Sequence, residues 1–165
     1  MSLHALAREV GIRQPSLYEY FDSKHALYDA MFADGNRQLV ERLDATTFCH
    51  EPRAALKQWL AVFTTFGCED PARYQLLFQR VIPGFTPSPD SYALAEEVLD
   101  RVVTLMRVAG VTEPGDIDCI VAMTAGLIEA QLSNDPGGSR WLRHLDRLVD
   151  LLVDDAMARG GTHET

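Results

Sequence analysis

Three cysteines in 165 residues, Cys49, Cys68 and Cys119, are too few and too widely spaced to frame a disulfide scaffold or a zinc site. Each falls in helical sequence and reads as the reduced thiol of a cytoplasmic protein. The five histidines, His4, His25, His50, His144 and His163, never stand four residues from one another or from a cysteine. No helix face therefore offers a metal its ligands. A glycine-rich phosphate loop and a nucleophile elbow are missing as well. Together these absences argue against an enzyme and against any metal or cofactor. No run of eighteen apolar residues occurs, and no basic stretch precedes an apolar one as in an export leader, so no membrane partner is expected. Positive charge is scarce, with 15 lysines and arginines against 24 acids and a net charge of −9. That balance excludes non-specific coating of nucleic acid, but a specific reader needs only a local donor-rich face.

What is present begins at residue 2. Ser2 can cap a helix whose Leu3, Leu6, Ala7 and Val10 share one side, and Gly11 can supply the left-handed residue that stops it. Ile12 then plugs a turn, and Pro15 suits the first turn of a second helix, on which Leu17 and Phe21 repeat at i, i+4. The other side of that helix offers Arg13, Gln14, Ser16, Tyr18 and Tyr20, all hydrogen-bond donors to base edges or phosphates in a major groove. Two short helices around one sharp turn make a helix-turn-helix.

The segments Leu6-Ala7-Arg8-Glu9-Val10-Gly11-Ile12 and Leu17-Tyr18-Glu19-Tyr20-Phe21-Asp22-Ser23-Lys24 resemble the DNA-binding segment of the TetR (tetracycline-repressor-like) family of bacterial transcription regulators. The resemblance implies an all-α homodimer that represses transcription and leaves its double-stranded operator DNA when a small molecule enters the carboxy-terminal domain. It further implies that Tyr18, Tyr20 and Lys24 touch the DNA backbone, with Arg13, Gln14 and Ser16 near bases. Ser2, at the head of the first helix, joins the candidate DNA-binding set. Two departures from the pattern bear on affinity. The family carries a further helix before the position of Ser2, and residues 1–28 balance Arg8, Arg13 and Lys24 against Glu9, Glu19 and Asp22. Weak DNA binding is expected of the sequence as it stands, and the competing reading is a helical dimer that binds a small molecule and reads no DNA.

Beyond Lys24 the helical period continues. A long helix over 24–48, capped by Ser23, would link a reader at residues 1–45 to an antiparallel helical regulatory domain at 46–160, with Gly35 as a close contact or a bend. Pro52 opens a helix carrying Leu56, Trp59, Leu60, Phe63, Phe66 and Gly67 on one face, with Thr64 turned away. Asp70-Pro71 starts a short helix, and a further helix runs from Ser91 to Ala109 and closes at Gly110. The aromatic face of Trp59, Phe63 and Phe66, with Phe78 and Met106 from neighbouring helices, is either plain core or the wall of a pocket for a small hydrophobic or aromatic effector. Thr124, Leu127 and Gln131 are added to that pocket because two polar groups on an apolar face need partners. Two further faces call for cover. Ala122, Gly126 and Ala130 line one side of the penultimate helix, and a last helix expected from Ser139 spreads Leu145, Leu148 and Leu152 over an arc too broad for one contact. Two copies forming a four-helix bundle would cover both, the alternative being burial within one chain.

Overall fold

The computed structural model describes residues 21–160, and every regular element among them is helical. In chain order these are α1 (Lys24–Asp44), α2 (Pro52–Glu69), α3 (Pro71–Phe78), α4 (Pro89–Val108), α5 (Pro114–Asn134), a 3-10 turn (Leu142–His144) and α6 (Leu145–Gly160). The helices expected between residues 2 and 21 lie outside the described residues. None of the described helices is long and apolar enough to cross a membrane.

Local chemistry sets the boundaries. Ser23 is extended, and its hydroxyl oxygen accepts from the Ala26 N–H at 3.0 Å, satisfying an orphan donor of α1. Asp70 does the same for Arg73 at the head of α3. Proline stands in the first turn of α2, α3, α4 and α5, where its missing N–H costs nothing. At the end of α4 the Val111 N–H donates to Met106 O and the Gly110 N–H to Arg107 O. Gly110 takes φ +96° there, a conformation open to glycine, and the pair of bonds forms a Schellman motif.

Three boundaries differ from expectation. α1 stops at Asp44 rather than 48, where the β-branched pair Thr46-Thr47 begins and the Thr46 hydroxyl turns back to donate to Arg42 O. α4 starts at Pro89 because Ser88 supplies the cap. α6 starts at Leu145 rather than Ser139, since the backbone before it is held by a side chain of α5.

The core is one cluster to which every helix contributes, centred on Leu39 (α1), Leu56 (α2), Met106 (α4), Ile120 (α5) and Val149 (α6), with Leu77 from α3. Ion pairs mark how the helices lie. Lys57 and Arg53 reach Asp150, and Arg53 also reaches Asp154, so α2 and α6 run antiparallel. Arg101 joins α4 to α1 through Asp44. Such solvent-accessible, half-buried pairs add little energy each, about 0–1 kcal/mol, but those of α2 and α6 agree on one orientation. Two glycines let helices approach closely. A Cβ on Gly35 would stand 3.0 Å from Leu77 Cδ1, and one on Gly67 would stand 3.1 Å from Ile128 Cδ1. Gly35 is therefore a packing contact between α1 and α3.

Candidate functional site

Lys24 is the candidate DNA-binding residue that falls within the described chain. It opens α1, half-buried, with Nζ 5.2 Å from the centroid of the Tyr28 ring. Ser2, Arg13, Gln14, Ser16, Tyr18 and Tyr20 lie outside the described residues.

The first two turns of α1 are held from the side by the segment between α3 and α4. Phe85 packs against His25, Tyr28 and Phe32, with ring centroids 6.3, 5.7 and 6.4 Å away. A carboxylate completes the hold. Asp29 accepts the Ser88 backbone N–H at 2.7 Å, the Ser88 hydroxyl at 2.8 Å and the Ser91 hydroxyl at 2.9 Å. Burial pushes the Asp29 carboxyl up, but the three hydrogen bonds outweigh it and hold the group below its ordinary range. Sequence patterns carry no sign of this clasp, because its two sides lie 59 residues apart.

Asp29→Ala strands those three donors, so a loss of about 1–3 kcal/mol is expected in urea unfolding, with faster amide exchange at Ser88. The clasp also has a pH signature. A carboxyl held below its unfolded value stabilises the fold above that value, about 3.9, and loses the contribution as pH falls through the folded pKa. Wild type should therefore soften below about pH 4 by more than Asp29→Ala does.

The predicted pocket residues divide. Trp59 stacks on Phe63 at 5.6 Å, Phe63 meets Phe78 edge-on at 5.0 Å, and Tyr74 adds a fourth ring 5.5 Å from Phe78. Burial first, then the charges of Glu129 and Cys68, push the Tyr74 hydroxyl up to about 12, so it stays protonated at neutral pH. Trp59 is buried, Phe63 half-buried, and Phe78 is 37% exposed at the rim. Phe66 does not join these rings. Its own ring is covered by two guanidinium groups, Arg73 at 3.7 Å and Arg42 at 5.4 Å. Met106 and Leu127 are buried core.

Thr124 and Gln131 find partners inside the chain. Thr124 donates its hydroxyl to Ile120 O at 2.8 Å, one turn back on its own helix. Gln131 clamps the turn after α5. Its Oε1 accepts the Trp141 N–H at 2.9 Å and the Leu142 N–H at 3.4 Å, while Nε2 donates to the carbonyl and the carboxylate of Asp135. The need for a ligand at Gln131 accordingly disappears, and the same clamp explains why α6 begins late. Two surface recesses, about 640 Å³ along α4 at Glu96, Glu97 and Arg101 and about 350 Å³ between α1 and α3 at Met31, Gly35 and Leu76, are lined by none of the predicted pocket residues.

On α5 and α6, Ala122 and Gly126 are exposed, Ala130, Leu148 and Leu152 half-buried, and Val121 and Leu151 open to solvent. A Cβ on Gly126 would meet nothing within 4 Å. Leu145, placed in the seam by its position on the helix, is instead 3% exposed and belongs to the chain's own core.

The described residues thus form an all-helical body that opens with α1. Residues 1–31 match the family model described as bacterial regulatory proteins, tetR family. The fold of the described residues is similar to that of solved TetR family regulators. It is similar to the TetR family transcriptional regulator PfmR from Thermus thermophilus, with a TM-score of 0.68 and 16% identity over 96% of this chain and 88% of that one. It is also similar to a protein of unknown function from Rhodococcus sp. RHA1, with a TM-score of 0.65 and 23% identity over 97% of this chain and 84% of the other. No curated protein matches the chain.

Proposed function

We propose that this chain is a DNA-binding transcription regulator, a homodimer that represses by occupying operator DNA and is released by a small hydrophobic or aromatic effector. The observation that carries the reading is the tetR-family match over residues 1–31, which runs without a break into α1. Arg13, Gln14 and Ser16 read base edges, while Ser2, Tyr18, Tyr20 and Lys24 hold the backbone. Ala122, Gly126, Ala130, Leu148 and Leu152 form the seam between two copies, a partly exposed apolar and small-residue face of the kind a second chain covers.

The coupling is mechanical. α1 carries the reader, and its first two turns are tied to the body by Asp29 and Phe85. A shift of α4 or of the loop before it therefore changes the separation of the two readers, which must match one DNA turn of roughly 34–36 Å. No covalent step is required.

The test is selection of genomic fragments on the immobilised protein. Recovered fragments are expected to share an inverted repeat whose half-sites lie about one helical turn apart, as a two-fold reader demands. Recovery without a common sequence would overturn operator reading and leave the small-molecule-binding dimer in its place.

A further inference from the structure

Positive charge is spent unevenly over the helical body. Most of its lysines and arginines sit within ion-pair reach of a carboxylate, as Arg42 does with Glu69, Lys57 with Asp150 and Arg101 with Asp44. Among the described residues, the cations outside any such pair are Lys24, Arg80, Arg107, Arg140, Arg143 and Arg147. Arg140, Arg143 and Arg147 stand together on the turn into α6, all exposed, with exposed His144 among them. The Arg140 guanidinium lies over the Trp141 ring, 5.3 Å from its centroid. Asp146 is the acid on the same stretch, while Asp135 before it is taken up by Gln131 Nε2 and the Arg140 backbone N–H.

Helix directions put this turn at one end of the body. Ser88, which caps the head of α4, donates to Asp29 in the second turn of α1, whereas a Cβ on Gly110, at the tail of α4, would stand 3.0 Å from Met157 Cγ near the end of α6. Asp116, at the start of α5, meets Arg159 near that same end of α6. α5 and α6 are therefore antiparallel, and the turn joining them lies with the starts of α1 and α4. Gln79 agrees, since it donates to Glu129 Oε1 and so ties the last turns of α5 to the segment that carries Phe85 and Ser88. This is the end at which residues 1–23 join the body. Lys24 and Arg80 belong to it as well, and Arg107 stands at the other.

The amino-terminal segment is itself neutral, with Arg8, Arg13 and Lys24 balanced by Glu9, Glu19 and Asp22, and the whole chain carries −9. A duplex repels such a chain unless cations near the phosphates offset the field. Distance decides which charges count, because at physiological salt screening sets in beyond about 8 Å. Asp154 and Asp155 stand roughly 10–12 Å along α6 from Arg147, so they cancel little of its field. From this we infer that Arg140, Arg143 and Arg147 form a second DNA contact, borne by the body rather than by the reader, for the operator phosphates between the two half-sites. In the dimer proposed above, α5 and α6 of both copies stand together, which sets the two turns beside the two-fold axis and over the centre of the operator. Arginine suits the role, since its planar fork offers a phosphate two N–H groups at once. The contact carries no sequence information and supplies affinity to a reader with little charge of its own. The assignment rests on the operator-binding reading above and names a further surface for that partner.

The experiment is a salt series of fluorescence-anisotropy titrations on a duplex recovered by genomic selection, comparing the parent with the double variant Arg143→Gln, Arg147→Gln. Each phosphate left without its cation takes about 0.9 from the slope of log affinity against log salt, so the slope should flatten by about 2–4 for a dimer, and affinity at about 0.15 M salt should fall at least tenfold. Arg143→Lys with Arg147→Lys keeps the charge and should keep most of the slope. Arg107→Gln removes an unpaired cation from the far end and should leave slope and affinity within twofold of the parent's. A duplex with methylphosphonates at its centre tests the contact in the parent itself, and should weaken the parent but not the glutamine variant. An unchanged slope in the glutamine variant, an equal loss in Arg107→Gln, or indifference of the parent to the neutral linkages would each overturn the assignment. Sedimentation velocity on the same samples covers the other partner for these arginines, since a variant that falls to monomer while the slope holds would assign them to carboxylates of the second copy. A parent without preference for the selected duplex fails the operator reading and the contact with it, whereas a preference and slope that the glutamine variant keeps in full fail the contact alone.

Discussion

Gln131→Leu is expected to destabilise the protein by about 3–5 kcal/mol, a large part of the roughly 5–15 kcal/mol that holds a domain of this size. The substitution keeps the bulk of the side chain and removes only its chemistry. Gln131 is 1% exposed and serves two backbone N–H groups, Trp141 and Leu142, as well as the Asp135 carbonyl. Each buried group left unpaired costs about 1–3 kcal/mol. The damage should be local in origin and global in effect, because the turn that Gln131 closes sets the register of α6 against α5. Urea unfolding followed by far-UV circular dichroism reads the loss, and the thermal midpoint should fall by roughly 10 °C. Ser133→Ala, exposed on the same helix, should stay within about 0.5 kcal/mol of the parent. A loss below about 1 kcal/mol at Gln131 would mean that its amide is free for other work.

The second large effect concerns assembly and should appear without loss of the fold. Gly126→Arg places a side chain where a Cβ meets nothing within 4 Å of its own chain, so the protomer has room for it. An interior helical glycine costs about 1 kcal/mol relative to alanine, and the protomer should gain rather than lose stability. In the proposed seam the same guanidinium is drawn out of water and set against its symmetry mate, a like charge. An unpaired buried charge costs about 3–5 kcal/mol, enough to weaken the dimer by more than about a hundredfold. Sedimentation velocity at tens of micromolar should show a dimer for the parent and a monomer for Gly126→Arg. A variant dimer as tight as the parent's would place the subunit contact elsewhere.

The helices are legible in the sequence where one residue decides the geometry. Ser23, Asp70 and Gly110 stand where the caps require them, and the apolar period locates α1 through α5. Legibility fails where a distant side chain decides. Trp141 and Leu142 read as helix by period, yet Gln131, ten residues before Trp141, takes their N–H groups and delays α6 to Leu145. Thr64 reads as outward because threonine is polar, whereas its hydroxyl is satisfied by Ala61 O and its methyl by the core. Thr124 and Gln131 mislead for a related reason. Both count as polar groups without partners on an apolar face, but a threonine can bond its own helix and a glutamine can reach a turn. By period Asn36 shares the apolar face of Phe32, Leu39 and Leu43, and only its polarity reads against the burial it has.

Sequence-specific DNA binding is the central claim. The direct measurement is fluorescence anisotropy of a duplex recovered by genomic selection, titrated at one fixed salt concentration beside a scrambled duplex of the same length. Specific binding at least about a thousandfold tighter than binding to the scrambled duplex is predicted, with Arg13→Ala reducing that ratio by about 1–3 kcal/mol and Lys24→Ala weakening both duplexes alike. Equal affinities for the two duplexes, with or without Arg13, would contradict it.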